Sequence, residues 1–561
     1  MGIKSSAGAL VDGLLAHGTS LAFCLPGESY LAVLDALYDV DDRLKLIACR
    51  HEAGAANMAA AYGRMTGQPG ICFVTRGPGA TQASVGVHSA YQTSVPMILF
   101  IGQVRRSFKG REAFQEVDFE AMFAPIAKSV VTLERPEDTS RIVAEAFRDA
   151  MSDRPGPVVV VLPEDVLSLE FEGRTFNPLT RLVHGAKPHQ VEKAARMLSQ
   201  AERPLVIVGG PHSQPHWSEA LAKLVEQAEI PVAASFRSQD YFDNRHPNYV
   251  GDLGFGKNPA LVERVRNADL ILALGTRLGD VTTDGYTLLK APKPDQKLIH
   301  VHVDLKELGR VYMPRLAIRA ETRLFIEALA GAGIGGAEKR RNWRRAVRRD
   351  YEIWLEPQPN PGEVQLGEIF ASLNKLLPDD AILCNGAGNY TGWLHRYFEY
   401  RRPGTQLAPK SGAMGFGLPA AIAAKLAAPG RHVVAVAGDG CFLMAAPELA
   451  TAVQYGAPIV VMVINNSMFG TIRMHQEIHY PGRVSGTDLE NPDFAALARS
   501  FGANGVTIRQ TSEFARAFKA ALKADKPTVM DIIVDPQAIS TQISLSDLQK
   551  APAAAQTAAK E

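Results

Sequence analysis

The stretch VVAVAGDGCFLMAAPELATAVQYGAPIVVMVINNSMFG, residues 433–470, decides how the rest of the chain is read. It opens on an apolar run that stops at Gly438-Asp439-Gly440, passes through a segment of helical pattern, and closes on a second apolar run, Ile459–Ile464, that stops at Asn465-Asn466. Strand, turn, helix, strand, turn is a βαβ order, so the two strands are expected parallel in one sheet. Both turns then emerge at one carboxyl edge, where open α/β sheets bind ligands. One carboxylate (Asp439), one amide oxygen (Asn466) and nearby main-chain carbonyls suit a hard cation such as Mg²⁺, which takes one or two protein oxygens together with phosphate oxygens from a ligand.

Outward from this stretch the pattern repeats. Strand-like runs occur at Leu21–Leu25, Leu46–Ala48, Ile71–Thr75, Met97–Ile101 and Val158–Leu162, and again at Pro204–Gly210, Pro231–Ala234, Leu270–Gly275 and Leu298–Asp304. Continuous Val/Ile/Leu runs, rather than alternation, indicate strands buried on both faces and hence parallel sheets covered by helices. A chain of 561 residues is too long for one core. The expected architecture is α/β, with three doubly wound parallel-sheet domains at residues 1–170, 190–335 and 362–540. The Pro/Gly-rich, charged stretch 165–190 reads as a linker. Residues 335–361 read as a basic helix, its arginines on a solvated face, followed by a Pro-rich linker. Residues 541–561 read as a flexible tail.

Composition narrows the function. A formal net charge of +1 gives no global field toward nucleic acid or an anionic membrane, so neither is expected as a partner. The five cysteines are scattered without a CxxC pair, which argues against a disulfide framework or a zinc site and fits a cytoplasmic location. No apolar run reaches the roughly 18 residues of a membrane span, and no signal peptide is evident at the N-terminus.

Gly-Asp-Gly, a helix of fitting length and a strand ending in Asn-Asn resemble the thiamine-diphosphate-binding motif of thiamine-dependent enzymes. The three α/β units are similar to the pyrimidine-binding, central and diphosphate-binding domains of the acetolactate synthase-like family. The resemblance implies thiamine diphosphate and Mg²⁺ as cofactors, with Asp439, Asn466 and the Met468 carbonyl as metal ligands. Arg50-His51-Glu52-Ala53-Gly54-Ala55-Ala56 looks like the segment carrying the family's catalytic glutamate, so Glu52 is the expected partner of the aminopyrimidine ring, whose amino group then works on the thiazolium C2–H. The remaining implied cofactor residues are Gly27, Pro78 and Gly79 on the pyrimidine side, and Asn389, Tyr390, Gly440, Cys441, Phe469 and Gly470 around the diphosphate. Met414, in Ser411–Pro419, would wedge between the rings, a task that suits a flexible apolar side chain. Because Glu52 and Asp439 lie in different domains, and the family builds its site between subunits, a homo-oligomer (dimer or tetramer) is implied.

Phe114-Gln115-Glu116 and Pro125–Lys128 match substrate-side segments of the family, with Gln115 and Lys128 placed to orient a carboxylate. Three positions depart from the pattern. Arg76 replaces a small residue, Cys441 replaces a serine, and His475 stands where biosynthetic members carry tryptophan, which opens the identity of the acceptor. His475 is a candidate acid/base. In the central unit, Gly251–Gly256 and Gly275–Asp280 occupy the flavin-binding places with incomplete motifs. FAD is therefore a further candidate cofactor, with an ADP-like ligand or an empty domain as alternatives. The expected function is a thiamine-diphosphate-dependent carboligase or decarboxylase acting on 2-keto acids or aldehydes, most like acetolactate synthase. The alternatives are a C–C lyase or decarboxylase of the benzaldehyde lyase or oxalyl-CoA decarboxylase type and, from another class, a flavin- or nicotinamide-binding redox protein.

Overall fold

The structure, a computed structural model, describes residues 2–173, 176–181, 183–211 and 217–550. Three six-stranded sheets organise it, and every neighbouring pair of strands within them is parallel. In the first the spatial order is Lys45–Ala48, Leu21–Cys24, Gly70–Val74, Met97–Gln103, Pro157–Pro163, Ser129–Thr132. In the third it is Gln406–Leu407, Ile382–Asn385, Val433–Gly438, Val460–Asn465, Thr528–Ile533, Asn504–Ile508. Counted along the chain, both run second, first, third, fourth, sixth, fifth. The central sheet runs Tyr249–Leu253, Val232–Ser235, Pro204–Val208, Leu270–Leu274, Lys297–His302, Leu316–Arg319, the third-second-first-fourth-fifth-sixth order of dinucleotide-binding folds. The opening βαβ unit has the expected register, with Gly438 opposite Ile464, although its connection is two short helices, Asp439–Leu443 and Glu448–Gln454.

The first and third domains share one apolar core. The helix Glu52–Thr66 packs on the helix Gly417–Ala427, and both carry alanines on the buried side, among them Ala55, Ala56, Ala59, Ala420, Ala421 and Ala424. Small residues let the two axes approach closely. The central domain joins through a buried charge cluster. Asp240 Oδ1 lies 3.4 Å from Arg64 of the first domain, while its Oδ2 accepts from the Gly404, Thr405 and Gln406 amides of the third at 2.9, 3.2 and 3.2 Å. Removing one member of a buried pair leaves the other charge unpaired, at a cost of about 3–5 kcal/mol. Asp240→Asn is therefore expected to lower the midpoint of urea unfolding markedly; an unchanged midpoint would show that the junction contributes nothing.

Several sequence expectations need correction. The linker read from residue 165 begins later, because Glu164–Leu167 is a helical turn and Glu170–Gly173 pairs antiparallel with Gly2–Ser5. The basic helix, Ala337–Trp354, keeps Arg341, Arg345 and Arg349 exposed on one face, as expected, but its other face is buried. Arg340 is fully buried, donating to the carbonyls of Ala228, Leu198 and Gly335, and Trp343, Val347 and Tyr351 pack into the central domain. Arginine stems bury readily when backbone carbonyls cap the head. Residues 541–550 are not a flexible tail: Leu545–Lys550 is a helix whose Leu545 and Leu548 are buried. Residues 551–561 lie outside the described residues. Finally, Gly251-Asp252, at the start of one of the flavin-binding places, belongs to the edge strand Tyr249–Leu253.

Candidate active site

The third sheet reverses its winding between Ile382–Asn385 and Val433–Gly438, and a cavity of about 260 Å³ opens at that switch point. Asn389, Tyr390, Met414, Asp439, Gly440, Cys441, Asn466, Met468, Phe469 and Gly470 all line it, drawn from turns after three strands and from the segment before Gly417–Ala427. Asp439 is buried, and burial pushes its carboxyl up, against the lowering effect of the Gly440 N–H at 2.8 Å and the Asn491 amide at 2.9 Å. Asn491 Nδ2 also donates to Asn465 Oδ1 at 3.0 Å, so one side chain ties the two turns together. Its own Oδ1 is buried without a partner. Ser467, at φ 54, turns the chain so that Met468 bridges to Asp488, and the Met468 carbonyl accepts from the Gly470 N–H at 2.9 Å with one lone pair left over. Among the described residues no group of three or more His, Cys, Asp or Glu is arranged to hold a metal ion. A single carboxylate with amide and carbonyl oxygens fits a cation that relies on ligand phosphate.

Packing fixes these walls. A Cβ on Gly440 would stand 2.5 Å from the Phe469 ring, and one on Gly386 2.5 Å from Cys441 Sγ. The Asn389 amide is consumed by the Ile539 carbonyl and the Thr471 hydroxyl, both at 2.8 Å, so it holds wall to wall. Tyr390 hydroxyl meets Cys441 Sγ at 3.5 Å.

The remaining cofactor candidates gather in the first domain, at its own switch point. Gly27 and Thr75 leave the two strands that flank the switch point, Leu21–Cys24 and Gly70–Val74, so close together that a Cβ on Gly27 would lie 2.5 Å from Thr75 Cβ. Glu52, 5% exposed, is the first residue of its helix, capped by His51, whose Nδ1 accepts from the Ala53 N–H at 3.1 Å. A Cβ on Gly79 would sit 3.3 Å from Glu52 Oε1, and Pro78 occupies the first turn of the helix Gly77–Thr93. Gln115, at φ 64, accepts at its carbonyl from the Gly77 N–H at 3.0 Å. Arg76 braces this group, reaching Glu28 at 3.0 Å, Glu164 at 3.5 Å and the Phe114 carbonyl at 3.4 Å.

Two candidates fall outside both groups. Lys128 is engaged elsewhere: its ammonium donates to the carbonyls of Asp149 and Ser152, where it closes the end of the helix Thr139–Met151, and it does not stand free for a substrate carboxylate. His475 is exposed on the helix Gly470–His479, stacked on His479 at 5.9 Å, and burial together with His479 lowers its pKa. The cavity wall next to it is made by Thr471 and Ile472 instead. Sequence reading missed Asn491 and Glu448. Glu448 is buried, and its Oε1 accepts from the Arg50 and His51 amides at 3.0 Å each. Neither has a spacing signal, since each acts on a segment distant in the chain.

A metal-suited cavity at the third switch point, matched by a buried glutamate at the equivalent crevice of the first sheet, defines a thiamine-diphosphate-dependent enzyme. Comparison agrees piece by piece. The N-terminal TPP binding domain of the thiamine pyrophosphate enzymes matches residues 5–122, their central domain 191–329, and their C-terminal TPP binding domain 386–532. The chain belongs to the thiamine pyrophosphate enzyme family, and it is acetolactate synthase-like. It is 34% identical to the acetolactate synthase large subunit of Parasynechococcus marenigrum, over 94% of this chain and 87% of that one. It is 33% identical to a probable acetolactate synthase large subunit of Methanocaldococcus jannaschii (94% and 91%), and 31% identical to the acetolactate synthase isozyme 2 large subunit of Escherichia coli (94% and 95%).

Proposed function

We propose that this enzyme condenses 2-keto acids after decarboxylation, in the manner of an acetolactate synthase, with Mg²⁺ and thiamine diphosphate seated in the third-domain cavity. Asp439, Asn466 and the Met468 carbonyl would hold the metal, and Asn491 would keep Asp439 aimed. The bound cofactor supplies a nucleophilic carbon for the keto group and an electron sink for loss of CO₂. Glu52 would hold a proton at the pyrimidine nitrogen, Met414 would fix the cofactor's bend, and Gln115 would orient substrate. The observation that carries this reading is the pair of crevices: the cavity walls come wholly from residues 366–538, and Glu52 faces the other crevice. Glu52 lies outside those walls, and we infer that a second copy of the chain supplies the missing half, in a homodimer or a tetramer of such dimers.

His475 is exposed in the single chain, and we place it at the mouth of the assembled site, where a shape unlike tryptophan would admit a different acceptor. Support for FAD is confined to Arg277 and to the glycines at the central switch point. The Arg277 guanidinium donates to the Gln92 carbonyl at 2.9 Å, and the cavity there is about 70 Å³, against roughly 300 Å³ or more for a typical ligand site. No helix among the described residues is long and apolar enough to cross a membrane. All five cysteines are free and buried, as fits a cytoplasmic enzyme. Pyruvate with thiamine diphosphate and Mg²⁺ is expected to yield CO₂ and acetolactate, read by product chromatography. Acetaldehyde alone, or no turnover, would favour the lyase or decarboxylase alternative.

A further inference from the structure

Arg237 leaves the central sheet just after the strand Val232–Ser235 and ends inside the third domain. The residue is 4% exposed and adopts φ 52, a left-handed backbone that costs a non-glycine residue about 1 kcal/mol or more. Its Nη2 donates to the Gly386 carbonyl at 2.8 Å and its Nη1 to the Pro409 carbonyl. Nε is buried without a partner, and among the described residues no carboxylate lies within ion-pair distance of the guanidinium. Burial draws its pKa down to about 10. The guanidinium has two carbonyls and the Phe236 ring, 4.9 Å away, as its neighbours and no anion of its own, and a buried charge left unpaired is expensive.

The two carbonyls adjoin the segments that wall the cavity already described. Gly386 leads directly into Ala387–Tyr390, and its Cα lies against Cys441 on the Gly438–Cys441 turn. Pro409 leads into Gly412 and Met414. The guanidinium is therefore bonded to the residue immediately before the lining segment Ala387–Tyr390, beside the wall that would face the diphosphate. We propose that Arg237 is a positioning residue for the cofactor's diphosphate, fixing both wall segments through their carbonyls and supplying from behind the positive charge that the seated anion balances. This rests on thiamine diphosphate binding in that cavity.

The test measures binding rather than turnover. Trp393 lines the cavity, so quenching of intrinsic fluorescence reports occupancy in the full chain. Thiamine diphosphate and thiamine monophosphate are titrated with Mg²⁺ into wild type, Arg237→Met and Arg237→Lys. Removal of the charge is expected to weaken the diphosphate by about tenfold or more and the monophosphate by clearly less, while the lysine variant keeps the wild-type preference. Equal weakening of both ligands, or no weakening, would overturn the proposal, because a merely structural role changes both alike. Should Arg237→Met not fold, the lysine variant decides alone: a folded protein that has lost the preference for diphosphate would refute the charge role. Wild type that binds neither ligand would refute the cofactor assignment, and this proposal with it.

Discussion

Glu52→Gln should leave a protein that binds thiamine diphosphate normally but releases CO₂ from 2-keto acids about 100- to 10,000-fold more slowly, the range lost when a positioned acid–base group is removed. The separation follows from where Glu52 stands. It is the first residue of a helix in the first domain, its Oε1 close to Gly79, and it forms no wall of the third-domain cavity. Diphosphate and metal contacts are thus untouched by the substitution. The amide is nearly isosteric, so packing around the helix start is retained. Tryptophan quenching would report binding, and stopped-flow CO₂ detection the rate. A variant that turns over like wild type would remove Glu52 from the chemistry.

The second large effect concerns which chain supplies which half. Asp439→Ala removes the only carboxylate among the described residues lining the cavity and is expected to abolish Mg²⁺-dependent cofactor binding. Mixing that inactive variant with inactive Glu52→Gln should restore activity if the site is shared. Under two-fold symmetry, one of the two sites in each mixed dimer receives an intact Glu52 from one subunit and an intact Asp439 from the other, so the purified mixed dimer should recover roughly half of wild-type activity. Recovery is measured after co-expression with two different tags and tandem purification. No recovery would place both residues of a site in one chain.

Much of this was legible in the sequence because the relevant signals are local. Continuous apolar runs such as Val460–Asn465 mark strands covered on both sides, and the glycines and asparagines that end them mark the carboxyl-edge turns. The walls of the cavity follow from those turns. What failed was long-range or short. The edge strand Tyr249–Leu253 contains a glycine and an aspartate and looks like loop chemistry, yet pairing with Val232–Ser235 overrides that preference. The arginine-rich helix has the solvated face its composition suggests, with Arg341, Arg345 and Arg349 exposed, but the burial of Arg340 is not legible, because the carbonyls that cap it come from helix ends distant in the chain. Lys128 matched a segment pattern, but its partners, the carbonyls at the end of Thr139–Met151, are set by folding. Asn491 and Arg237 act on residues far away along the chain, and no window of sequence holds both ends of those contacts.

The Glu448 bond to the amides just ahead of Glu52 has a practical consequence for anyone recombining such enzymes. A chimera that imports a foreign first domain keeps Glu52 but must also present Gly54 to the resident Glu448, where even one methyl would come within 2.2 Å of its Oε1. Crossover points chosen at the linkers alone would pass the alignment and still spoil the seat of the glutamate. Pairs of exchanged segments, 50–54 with 448, are the unit to transplant.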